Sequence, residues 1–189
     1  LRPDISKDLE LASHGLTVDT VRKPFISLQT DGNHLTLDAE SIKRISEKDA
    51  ARFPEFVRFM DKAASILDTA YATIMPRLPL NFNIREGYGL LELGLELKLA
   101  GRKDMLNFIR ALPMTAQELL DEYFESDVVK AAIASVGIHG FTLGPMGAGT
   151  GYTLIHNWMN RGGLANVNVG KAGEITTALA NAVKSFGGE

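Results

Sequence analysis

The sequence predicts an α+β fold, mostly helical with a small antiparallel sheet. Three observations carry it. Apolar residues recur at helical spacing in segment after segment. One Asp-Gly turn is flanked by alternating residues. A further short strand is read in the run ANVNV near the C-terminal end. The 189 residues are 45% hydrophobic and 23% charged, enough for one substantial core.

The elements follow in order. Pro3 opens a short helix with Ile5, Leu9 and Leu11 at helical spacing, and His14-Gly15 is predicted to end it with Gly15 as the cap. Leu16 and Val18 then alternate with Thr17 and Asp19. PFISLQT and HLTLDA flank Asp31-Gly32-Asn33 and predict a β-hairpin, which needs helices or more strands on one face. The chain turns helical from Ser41. Ser46-x-x-Asp49 is an N-cap signal, and Phe53, Phe56, Val57, Met60, Ala64, Leu67 and Tyr71 form one stripe.

Residues 86–100 alternate Leu with polar residues, as a strand does. They contain no β-branched residue and many helix formers, so helix is predicted. A short helix through Met105, Phe108 and Ile109 stops before Pro113. Thr115-x-x-Glu118 reads as a capping box and Ser126 as the start of a further helix. TLIHNWMN is helical. The last helix carries Ile175, Leu179, Ala182 and Phe186 on one stripe.

Composition removes several function classes. Net charge is -3, with no basic footprint for nucleic acid. Cys is absent, so thiolate metal sites and a cysteine nucleophile are excluded. No stretch approaches the about 20 apolar residues of a membrane helix. No signal peptide is visible. The chain opens LRPDISKDLE without Met and closes AVKSFGGE, so both ends read as cut from a longer protein.

Chemistry could reside in GFTLGPMGAGTG, residues 140–151, where five of twelve residues are glycine. Gly144 and Gly149 have P-loop spacing, but Thr150 stands where the lysine must be. Gly147, Gly149 and Gly151 miss the last interval of the dinucleotide fingerprint. Two readings stand: tight turns with close backbone approach, or contact with a flat ligand. Gly170 and Gly173 form G-x-x-G at a helix start, which offers backbone N–H groups to an anion. His139 and His156 flank the glycine run without Cys or carboxylate partners, so no metal site is expected. His14 sits at a predicted helix end and His34 in the hairpin. Tyr152, His156 and Trp158 form the densest aromatic-polar cluster, with Tyr152 and His156 four apart on a helix. They either line a pocket or pack in the core. No residue stands out as a catalytic acid, base or nucleophile; the sequence has no G-x-S-x-G elbow.

Taken in order, RPDISKDLELASHGL, PFISLQTDGNHLTL, MTAQELLDEYFESDVVKAAIASVGIHG, GPMGAGTGYTLIHNWMN and VGKAGEITTALANAVKSFG resemble the phytoene-dehydrogenase-like FAD-dependent oxidoreductases. Within them the segments resemble the branch of pyridine nucleotide-disulfide oxidoreductase domain-containing protein 2. The resemblance covers nearly the whole chain, with LLDEYFESDVVKAAIA its most specific part. It implies that residues 1–189 are a single substrate-binding domain, while the segments that grip FAD lie outside this chain. It implies a carbon substrate, apolar in kind, that exchanges hydride with flavin N5. The protein's share would be binding, orientation and exclusion of water.

On that resemblance the site residues are Gly140, Tyr152 and His156 for substrate and Gly170 and Gly173 for the cofactor. Lys171 and Ala172 depart from the family's Gly-Gly-Met-Gly turn. Expected partners are a small-molecule substrate, the parent's own FAD-binding domain and a second copy in a homo-oligomer. Nucleic acid is not expected. The implied compartment is the cytoplasm, or the mitochondrial matrix in a eukaryote. The chain alone would be inactive. The competing reading is a self-standing helical module that binds a ligand or protein without catalysis.

Overall fold

The computed structural model describes residues 3–22, 24–73, 84–164, 166–169 and 171–188. They divide into two units, one from Pro24–Ala165 and one from Leu1–Lys23 with Asn166–Glu189.

In the larger unit the Asp-Gly hairpin forms as predicted. Strands β2 (Ile26–Leu28) and β3 (His34–Thr36) pair antiparallel, Ile26 opposite Thr36 and Leu28 opposite His34. Gly32 turns the chain at φ +85°, and the Asp31 carboxylate accepts from the Asn33 N–H. Alternation then sorts the faces: Leu35 and Leu37 are buried while Ile26 and Leu28 face solvent. Asp38 caps α2 (Ala39–Lys43), which delivers the buried Ile42.

Ser46 starts the long helix α3 (Glu47–Ala72), its hydroxyl accepting from the Asp49 N–H. The buried face of α3 is wider than the predicted stripe. It adds Phe59, Ala63 and Ile66, while Val57 is half-buried and Tyr71 is exposed at the far end. The reason is that α3 is covered from several directions. It packs against α2, α4 (Ile84–Ala100), α5 (Arg102–Ala111) and α8 (Thr150–Arg161). The segment that alternated like a strand is the helix α4, as its composition predicted.

Thr115 and Glu118 form the predicted capping box of α6 (Ala116–Asp121), with both reciprocal hydrogen bonds present. Ser126 precedes α7 (Asp127–Gly137). The aromatic centre of this unit surrounds Phe56, whose ring meets Tyr123, Phe124 and Trp158 edge-on with centroids 5.1–5.7 Å apart. Asp49 is wholly buried beside it and accepts from the N–H groups of Glu125 and Ser126, at 2.8 and 3.0 Å. That carboxylate joins the start of α3 to the approach to α7.

The smaller unit holds α1 (Pro3–Asp8), β1 (Asp19–Arg22), β4 (Asn166–Val169) and α9 (Ala172–Ser185). The strands pair antiparallel, Asp19 opposite Val169 and Arg22 opposite Asn166. Its core is Leu11, Leu16, Ala178 and Ala182, with Leu9, Ile175 and Leu179 against it. Two predictions fail here. The first helix stops at Asp8, and hydrogen-bonded turns carry the chain to Gly15, at φ +93°. Phe186 is 65% exposed; the buried positions on the last helix are Ala178 and Ala182, because small residues let it approach Leu11 and Leu16 closely.

Candidate functional site

The glycine run exists to bring α8 against the turn before α6. Gly149, at φ +79°, is the N-cap of α8, and its N–H donates to Pro113 O at 3.1 Å. The Gly151 N–H donates to Met114 O at 2.9 Å. A Cβ on Gly151 would lie 2.4 Å from Ala111 O, so only glycine permits this approach. The buried Thr150 hydroxyl accepts from the Ala116 N–H at 2.8 Å and donates to Gly147 O at 2.7 Å. The first N–H groups of α8 are thus spent on backbone carbonyls and are not offered to a phosphate. Of the two readings of this run, tight turns and close backbone approach account for it. A second close approach lies at Gly137, where a Cβ would meet Leu154 at 3.0 Å.

So anchored, α8 sends its two faces to different ends. Leu154, Ile155 and Trp158 enter the core. The Trp158 indole Nε1–H donates to Asp61 at 2.8 Å. Trp158 is therefore a packed residue with a satisfied polar tip, and parts company with Tyr152 and His156. The opposite face carries Tyr152, His156 and Asn160, spaced by fours. Tyr71 joins them from the last turn of α3.

The Tyr71 hydroxyl is hydrogen-bonded to the Tyr152 hydroxyl and lies 2.9 Å from His156 Nδ1. On the other side of the ring, Asn160 Nδ2 lies 2.9 Å from His156 Nε2. Phe141, from the loop after α7, stands edge-on to His156 with centroids 6.4 Å apart. Burial, and then the hydrogen bond with Tyr152, push the Tyr71 hydroxyl up to about 12, so it keeps its proton at neutral pH. The cluster opens to solvent; Tyr71 is 44% exposed. It can donate hydrogen bonds and pack a ring, and it carries no fixed charge.

Two of the three expected substrate residues, Tyr152 and His156, are therefore in one hydrogen-bonded cluster. Gly140 is an exposed turn at φ +81°, and its neighbour Phe141 makes the contact with His156. Gly173 is exposed in the first turn of α9, in the smaller unit, and a Cβ there would meet nothing within 4 Å. Gly170 lies outside the described residues. Both ring nitrogens of His156 are occupied by Tyr71 and Asn160, so it has none to share with His139 on a metal. Among the described residues no group of three or more His, Cys, Asp or Glu could hold a metal ion. Among the same residues no helix is long and apolar enough to cross a membrane.

Sequence reasoning missed Tyr71, Asn160 and Phe141 as members of this cluster. For Asn160 the signal was available, since it continues the four-residue spacing. Tyr71 and Phe141 had none, because they arrive from other elements. Asn157 was also missed. Its amide donates to Val136 O and His139 O, at 2.9 and 3.1 Å, and so caps the end of α7.

Comparison with known proteins gives distant relatives along the whole chain. The Rattus norvegicus protein named pyridine nucleotide-disulfide oxidoreductase domain-containing protein 2 is 27% identical over 215 aligned residues, covering 99% of this chain and 36% of the relative. The Mus musculus protein of the same name is 26% identical over 218, with the same coverage of each. The chain thus spans about a third of the length of these curated relatives. No family model matches it, and no solved structure matches with significance.

Proposed function

We propose that this chain is the substrate-binding part of an oxidoreductase, of the FAD-dependent, phytoene-dehydrogenase-like kind. In it hydride would pass between a carbon substrate and flavin N5. The observation that carries this reading is the similarity, along 99% of the chain, to relatives named as oxidoreductase-domain proteins. The cluster of Tyr71, Tyr152, His156, Asn160 and Phe141 is the proposed substrate contact.

The start of α8 does not fit a flavin cradle. The N–H groups at the start of α8 are consumed by Pro113 and Met114. On this reading FAD is held by segments other than the start of α8, and no chemical step is assigned to the described residues. Their share is to bind and orient the substrate.

The test is made on the longer polypeptide that carries this chain. It is expected to purify yellow and release FAD on denaturation, while the 189-residue chain alone binds none. Tyr152→Phe in the longer protein is expected to raise KM more than it lowers kcat. A longer protein that holds no flavin, even after incubation with FAD, refutes the reading. It would leave the alternative of a helical binding module without catalysis. That alternative is favoured by one observation: Tyr88, Leu91, Leu95 and Leu99 form an apolar stripe on α4 that faces solvent.

A further inference from the structure

Proton counting gives the hydrogen bonds of the Tyr71 cluster a direction. Asn160 presents its amide nitrogen to His156 Nε2, and an amide nitrogen has only protons to give. Nε2 is therefore the acceptor. In the neutral imidazole the single ring proton then sits on Nδ1. Nδ1–H then donates to the Tyr71 oxygen, 2.9 Å away. Having accepted there, Tyr71 passes its own proton to the only other group it touches in the cluster, the Tyr152 oxygen. The relay thus ends on the hydroxyl proton of Tyr152, which no bond within the cluster takes up, while Asn160 keeps its second amide proton at the other end. Each link polarises the next, so the last donor is stronger than a lone phenol.

We infer that the Tyr152 hydroxyl reads an acceptor oxygen, and that the site takes a ketone-bearing apolar molecule rather than a plain hydrocarbon. Its carbonyl oxygen accepts from Tyr152, and its apolar body lies along the exposed ring of Phe141. Two phenols, a neutral imidazole and an amide supply no countercharge for a carboxylate, so an uncharged carbonyl is the matching oxygen. A hydrocarbon would cover the Tyr152 hydroxyl without satisfying it, at the cost of an unpaired polar group. This inference rests on the cluster being the substrate contact. It changes the substrate class from the apolar carbon skeleton that the family resemblance implied.

Two measurements on the 189-residue chain test it. The first is the tautomer of His156, read from two-bond nitrogen–proton correlations at a pH where imidazole is neutral. Protonation at Nδ1 is expected; protonation at Nε2 reverses the relay and overturns the inference. The second is calorimetric binding of benzylideneacetone and of phenylbutene, its counterpart without the carbonyl. The ketone is expected to bind more tightly. Tyr152→Phe, which keeps the ring, should weaken it roughly fivefold to tenfold, the worth of one hydrogen bond, and leave phenylbutene unchanged. If the ketone gains nothing over the hydrocarbon, or ignores Tyr152→Phe, oxygen reading is refuted while the cluster stands as a contact site. If neither probe binds the unaltered chain, the cluster fails as a substrate contact and the inference falls with it.

Discussion

Removing one buried carboxylate should cost the larger unit much of its stability. Asp49 has no exposed surface and accepts from two backbone N–H groups, Glu125 at 2.8 Å and Ser126 at 3.0 Å. A hydrogen bond to a charged group contributes about 1.5–3 kcal/mol net. Asp49→Ala loses two and orphans both donors. Ser126 is only half-buried, so water recovers part of the loss. The expected cost is about 3 kcal/mol. For a unit of this size that lowers Tm by about 6–12 °C. Asp49→Asn keeps one acceptor oxygen but turns an amide nitrogen toward the other N–H, and should cost about half as much. Thermal and urea unfolding followed by circular dichroism measure both, with an unchanged urea slope showing that stability and not compactness has changed. An Asp49→Ala variant melting within roughly 2 °C of the unaltered chain would refute the account of Asp49 as the clasp between α3 and α7.

The other predictions concern the glycines and caps. Gly151→Ala drives a Cβ against Ala111 O and should destabilise by about 2–3 kcal/mol or more, read by urea unfolding. Gly94→Ala is the contrast: its Cβ meets nothing within 4 Å inside α4, so the same assay should show a gain of about 0.5–1 kcal/mol. Thr150→Val strands the Ala116 N–H and should cost about 1–3 kcal/mol, with Thr150→Ser recovering most of it. The Thr115 N–H and hydroxyl hold the Glu118 carboxyl below its ordinary value of 4.5. A lowered folded value means that this stabilisation is present above about pH 4.5 and is lost as pH falls through the folded value. Acid melting curves of Glu118→Gln should therefore fall less steeply in that range than those of the unaltered chain.

Much of the local structure was legible because it is determined by neighbours in sequence. The Asp-Gly hairpin, the Ser46 cap, the Thr115–Glu118 box and the helical character of the leucine-rich α4 all follow from interactions within about ten residues of chain. Helix faces were legible only in part. The stripe that helical spacing gives α3 is too narrow, because the sequence cannot show that several helices cover it. Helical spacing puts Phe186 on the inner stripe of α9, whereas the small Ala178 and Ala182 suit the space beside Leu11 and Leu16.

The candidate site divides along the same line. Sequence by itself determined that Tyr152 and His156 share a helix face, since four residues make about one helical turn. It also determined that the glycine run lacks the lysine and the spacing of a phosphate loop. Only tertiary structure decided what the run is for, because the carbonyls of Ala111, Pro113 and Met114 that it meets belong to a different turn. Only tertiary structure separated Trp158 from its neighbours by giving it Asp61 and Phe56. It alone brought Tyr71 to Tyr152 and His156 across more than 80 positions of chain. Helical spacing places side chains on a face. What stands opposite that face depends on how helices pack, and packing responds to shape and burial summed over the whole unit.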